Sequence, residues 1–219
     1  MDTDTGNNKS YSGLFSSKEY VNFYSGKSPE LHLDKIDANF HTVLDIGCGL
    51  GRTIRPFLKR NCEIVGIEND DYAINFLKSD QAFKNVKLIQ GRFDSSLVSE
   101  RKFDIIVAYN SIYHCKCNEM FETIDQLKNL LNEGGHLLLT VKSTEGNNPA
   151  IGGGEEIETN TWVKVNMPDG NIPHHFCDET DREKIIKSFA KLIYSEEIKL
   201  TWDNFIIVQA KGYYYILEK

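Results

Sequence analysis

Asp45 closes a short apolar run, Val43-Leu44-Asp45-Ile46, and three glycines follow it at alternate positions, Gly47, Gly49 and Gly51, with Cys48 among them. Glycine suits backbone that takes positive φ or lies close against a ligand. A strand that turns through such a loop into a helix presents backbone N–H groups at the carboxyl end of a sheet. The spacing is G-x-G-x-G, and Arg52 stands where a dinucleotide fingerprint has its third glycine. A carboxylate directly ahead of the loop repels a pyrophosphate and suits a cationic amine or sulfonium. A second acid, Glu68, ends the run Glu63–Glu68 with Asn69 beside it. In a doubly wound fold, an acid at that place accepts hydrogen bonds from ribose hydroxyls.

Groups able to move a proton cluster further on. The apolar run Phe103–Ala108 opens into Tyr109-Asn110-Ser111-Ile112-Tyr113-His114, and His174 and His175 lie far downstream. Imidazole is the usual general base near neutral pH. Cys115, Cys117 and Cys177 stand near these histidines, but a lone C-x-C lacks the paired knuckle spacing of a zinc site, so no metal centre is expected. Five cysteines in a chain of this size do not make a disulfide scaffold either.

The motif D-x-G-x-G-x-G resembles motif I of the class I S-adenosylmethionine-dependent methyltransferases. Four further motifs follow in order: Glu63–Glu68, Val86–Gly91 with Arg92-Phe93-Asp94, Phe103–His114, and Asn132-Glu133-Gly134-Gly135 leading into His136–Thr140. The resemblance spans residues 40–142 and implies S-adenosylmethionine as cofactor. It implies that Asp45, Gly47, Cys48, Gly49 and Gly51 line the cofactor, that Glu68 and Asn69 hold its ribose, and that Asn110 orients it. Arg92 stands where the family commonly has the aspartate that contacts adenine, so the adenine contact is left open between Arg92 and Phe93, the latter packing on the base. His114, at the family's frequent histidine position, is the first candidate base. Tyr113 is a candidate orienting group, and His174 or His175 is the second choice of base. The stretch from His174 through Glu183 resembles a segment of many bacterial small-molecule methyltransferases.

Strand-like runs alternate with helix-like ones from about residue 42 to 142, which predicts βαβ units and a parallel sheet. Helices are expected at Arg52–Arg60, Asp70–Ser79 and Asn118–Leu131. In the last, Phe121, Ile124, Leu127, Leu130 and Leu131 share one face and read as core. Phe205–Val208 and Tyr213–Leu217, joined by a turn at Gln209–Gly212, read as a closing antiparallel pair. Tyr20, Phe23 and Tyr24 fall at helical steps within Tyr11–Ile36. The expected fold is α/β, a Rossmann-like doubly wound seven-stranded sheet, mostly parallel with a C-terminal antiparallel strand. One domain covers 1–219: an N-terminal cap segment (1–40), a cofactor-binding core (41–142), a lid-like insertion (143–180) and a closing helix with strands (181–219). Asp178 is placed to cap that helix, with Asp181 as its capping-box partner.

The net charge of −7 argues against a broad electrostatic grip on nucleic acid. No apolar run is long enough to cross a bilayer, and residues 1–10 are polar without a signal core, so a cytoplasmic protein is expected. Charge and insertion together favour a small-molecule methyl acceptor. A protein or RNA acceptor is the alternative within the enzyme class, and a catalytically silent S-adenosylmethionine-binding module the alternative outside it. Arg52 and Asp45 disfavour a nicotinamide dehydrogenase. The oligomeric state is left open.

Overall fold

The computed structural model describes residues 28–36, 39–146, 154–163, 171–200 and 210–219. Seven strands form one sheet: β1 (Thr42–Ile46), β2 (Glu63–Glu68), β3 (Lys87–Gln90), β4 (Phe103–Ala108), β5 (Leu131–Lys142), β9 (Lys191–Leu200) and β10 (Ala210–Glu218). Their order is β3-β2-β1-β4-β5-β10-β9. The first five run parallel, and β10 lies antiparallel to both β5 and β9. This is the expected doubly wound sheet. The strand order reverses direction at β1 and β4, so a crevice opens beyond the carboxyl ends of these two strands.

Burial on both faces explains why the central strands read as continuous apolar runs. Val43, Leu44, Phe103, Ile105, Ile106, Val107 and Ala108 are fully enclosed. Helix α1 (Asp71–Ser79) starts where the Asp70 side chain accepts a hydrogen bond from the Ala73 N–H, and it buries Ala73, Ile74 and Leu77. Helix α2 (Cys117–Leu130) buries the stripe Met120, Ile124, Leu127 and Leu130. Helix α3 (Glu179–Lys187) opens on the expected capping box between Asp178 and Asp181. The aspartate at the third position is long enough to reach back to the Asp178 N–H. Among the described residues no helix is long and apolar enough to cross a membrane.

The insertion builds a sheet of its own, β6 (Glu155–Glu158), β7 (Thr161–Val163) and β8 (His174–His175), in that order and antiparallel. It is stitched to the main body on two sides. The His175 N–H bonds the Tyr113 carbonyl, and the Cys177 N–H bonds the Lys142 carbonyl. Residues 174–177 are therefore a buried wall between the loop after β4 and the end of β5.

Three expectations change. Residues 52–60 form successive turns around a short 3-10 piece, Arg55–Phe57, and no α-helix. Pro56 has no N–H to give to the Arg52 carbonyl. The Gly51 carbonyl takes both the Ile54 and Arg55 N–H groups instead. The partner of the last strand is β9, at 191–200, and Ala210–Gly212 belong to β10 rather than to a turn. Phe205–Val208, like Tyr20, Phe23 and Tyr24, lies outside the described residues. Of the N-terminal segment, Leu33–Lys35 is a 3-10 turn, and the Leu31 carbonyl accepts the buried Tyr214 hydroxyl at 2.8 Å.

Candidate active site

The glycine loop sits at the head of β1. Gly47, Gly49 and Gly51 have φ of 67°, 50° and 80°. Space is as restrictive as angle: a Cβ on Gly47 would come within 2.7 Å of Ser111 Cβ, and one on Gly51 within 2.5 Å of the Phe83 ring. The loop is held to β2 by two bonds from the Gly47 and Cys48 N–H groups to the Ile67 carbonyl, at 2.8 and 3.1 Å. The Cys48 side chain is buried in the core against Gly66.

Two carboxylates flank this loop. Asp45 is buried and accepts a 2.5 Å bond from the Thr53 hydroxyl on Oδ2. Its Oδ1 is buried with no hydrogen-bond partner. Burial pushes its pKa up to about 7, against the Thr53 bond and with a further push from Glu68. Glu68 accepts from the Gly49 N–H at 2.8 Å and the Asp70 N–H at 2.9 Å, and burial raises its pKa too. The Ser111 hydroxyl, beside Gly47, is a second buried polar group without a partner. An orphaned carboxylate oxygen and an orphaned hydroxyl at one loop fit a ligand that brings an ammonium and hydrogen-bonding groups.

Asn110 takes positive φ, 54°, and is fixed by bonds between its own N–H and side-chain oxygen and the Thr140 hydroxyl, at 2.6 and 3.1 Å. This sharp bend swings the chain from β4 back over the loop, with Ser111 against Gly47 and His114 one turn on. His114 Nδ1 lies 3.2 Å from His174 Nε2, and His174 Nδ1 lies 3.0 Å from Lys142 Nζ. His174 and Lys142 are buried, and Lys142 Nζ rests over the Tyr113 ring at 4.7 Å. Burial first, and then His174 and Lys142, hold the His114 imidazole well below the ordinary histidine range, so it is neutral at neutral pH. The hydrogens on the three groups are interlocked, since each nitrogen facing another must donate where its neighbour accepts.

The structure thus brings His114, Tyr113 and His174 together and leaves His175 out. His175 follows His174 in β8 and points to the opposite face. Its two nitrogens engage the Thr161 hydroxyl at 2.8 Å and Asp181 at 3.2 Å. Arg92 turns outward to pair with Glu119 on α2, at 3.1 Å, and Asn69 is exposed. Phe93 is half-buried against the core below β4. Sequence reasoning missed Lys142, Thr53, Ser111 and Thr140. Lys142 carried a signal: it ends an unbroken buried run, Leu137-Leu138-Leu139-Thr140-Val141, where a cation needs a reason to be.

Residues 44–137 match the methyltransferase domain family. A sequence relative, the ribosomal protein L11 methyltransferase of Campylobacter concisus, is 31% identical over 108 residues. The match covers 49% of this chain and 37% of that protein, so the chain spans little more than a third of its length. Among solved structures, a S-adenosylmethionine-dependent methyltransferase from Methanosarcina mazei superposes with a TM-score of 0.68 at 16% identity, over 88% of this chain and 98% of that one. One from Clostridium acetobutylicum gives 0.61 at 14%, over 85% and 87%. An N-methyltransferase from Bradyrhizobium japonicum, solved with S-adenosylhomocysteine, gives 0.55 at 16%, over 86% and 82%. Domain match and fold agree with the resemblance read from the glycine loop.

Proposed function

We propose that this chain, which carries a class I S-adenosylmethionine-dependent methyltransferase domain, methylates a small-molecule acceptor by direct displacement, with His114 taking the acceptor's proton. The observation that carries the reading is a half-buried, neutral imidazole three residues beyond a serine that abuts the glycine loop. Bound S-adenosylmethionine supplies an activated methyl carbon, so the protein needs no covalent nucleophile. Asp45, Ser111 and the Gly47–Gly51 backbone are assigned to its amino acid end, and Glu68 with Asn69 to its ribose. Alignment of the reacting groups is worth about 7–11 kcal/mol, and a well-placed base about 10²–10⁴-fold. For Nε2 of His114 to take a proton, the His114 Nδ1–H must donate to His174 Nε2 and the His174 Nδ1–H must donate to Lys142 Nζ.

The acidic chain and the enclosed base favour a small acceptor. A protein acceptor is the second reading, and the L11 methyltransferase relative is what favours it. Calorimetry with S-adenosylmethionine and S-adenosylhomocysteine tests the cofactor; micromolar binding of both is expected, and none in folded protein sinks the assignment. A screen of small acceptors and of ribosomal protein, read as S-adenosylhomocysteine released, separates the two readings. His114→Ala should cut turnover about 10²–10⁴-fold with cofactor affinity unchanged; full activity removes His114 from the reaction.

A further inference from the structure

The C-x-C pair and His175 are left over by the site above, and the fold gives one member of each a shared location. Cys115 is spoken for: its thiol is buried and donates to the Ile112 carbonyl. Cys177 is buried against Met120. Cys117 differs. It is half-buried at the start of α2, and its sulfur, a His175 ring nitrogen and an Asp181 carboxylate oxygen all lie within 4.8 Å of one another.

We infer that Cys117, His175 and Asp181 form a binding site for a divalent transition-metal ion of the zinc type. The donor set is one thiolate, one imidazole and one carboxylate, the set such ions select over magnesium or calcium. The three donors come from three segments, the start of α2, β8 and the first turn of α3, which is how an ion clasps a fold together. The outer contacts are already those of a metal histidine. Thr161 Oγ1 holds His175 Nδ1 at 2.8 Å, which fixes the ring and leaves Nε2 on the side of Asp181. Glu158 anchors both neighbours, accepting the Cys117 N–H at 2.9 Å and the Thr161 hydroxyl at 3.1 Å. A fourth position falls to water or Glu158. Because His174 adjoins His175 in β8, the ion would also pin the strand that carries the partner of His114.

Metal-free protein titrated with cobalt(II) tests this without any methyl transfer. One equivalent should produce a thiolate-to-cobalt absorption band, which zinc then displaces. Cys117→Ser should abolish the band and weaken binding at least about tenfold. Asp181→Asn, which keeps a capping oxygen on α3, should weaken binding with the circular dichroism of the fold intact. Zinc should also raise the melting temperature of the wild type and leave that of Cys117→Ser unmoved. No saturable band, or one that persists in Cys117→Ser, overturns the site and leaves the cluster a packing contact.

Discussion

Asp45 is the residue at which stability and binding conflict. A carboxylate with one buried, unpartnered oxygen is costly to ionise, and a pKa of about 7 against an ordinary 3.8 puts that cost at about 4 kcal/mol. The sign follows from linkage. The native state holds the proton more tightly than the unfolded state, so this contribution to stability is full below pH 3.8 and is lost as pH rises through about 7. Asp45→Asn keeps the Thr53 hydrogen bond and removes the charge. The empty variant should melt above the wild type at pH 8, the gap should close towards pH 4, and S-adenosylmethionine binding should be lost; thermal melts across pH and calorimetry check both. A variant that binds normally would refute the role given to the loop acid. His114 predicts a second pH behaviour. Its imidazole is neutral well below the ordinary range, so turnover attributable to it should show no acid limb between about pH 6 and pH 8 in a pH–rate profile.

Elements carry the geometry that these residues need, and the glycine loop is the least tolerant of them. Gly51→Ala would force an alanine to φ near 80° and drive its Cβ into Phe83 and Leu77, at 2.5 and 2.8 Å. Strain of about 1–3 kcal/mol and overpacking of about 1–3 kcal/mol should add to a clear fall in the denaturant midpoint. The strands of the cofactor half were legible because β-branched runs end at glycines or acids, and each such run became a parallel strand. Arg52–Arg60 misled because its apolar spacing is helical while Pro56 denies it the hydrogen bonds. Strand β9 was hidden for a different reason. It is an edge strand, and its charges, Lys191, Glu196, Glu197 and Lys199, suit an edge exposed to water while blurring the apolar signal. The more apolar Phe205–Val208 drew the reading instead. In the site, the histidines could be read singly, but the pairing of His114 with His174 spans 60 residues and depends on β8 being woven in. Asp181 read only as a cap, because a capping role and a place beside His175 use the same oxygen.

The whole molecule is closed by contacts that join distant parts of the sequence. Tyr214, in the middle of β10, bonds Leu31 across 183 positions, and the insertion is tied to both β5 and the loop after β4. Strand β10 follows β9 in sequence yet lies inside it, between β5 and β9. On a ribosome, then, β5 waits with an unpaired edge while everything up to residue 200 emerges, and only residues 210–218 can fill the slot. A nascent chain stalled before residue 210 should be cut by protease within β9, while its βαβ half, residues 42–142, resists. During that interval the cell holds a half-closed sheet with a sticky margin, the state in which chaperones find their clients.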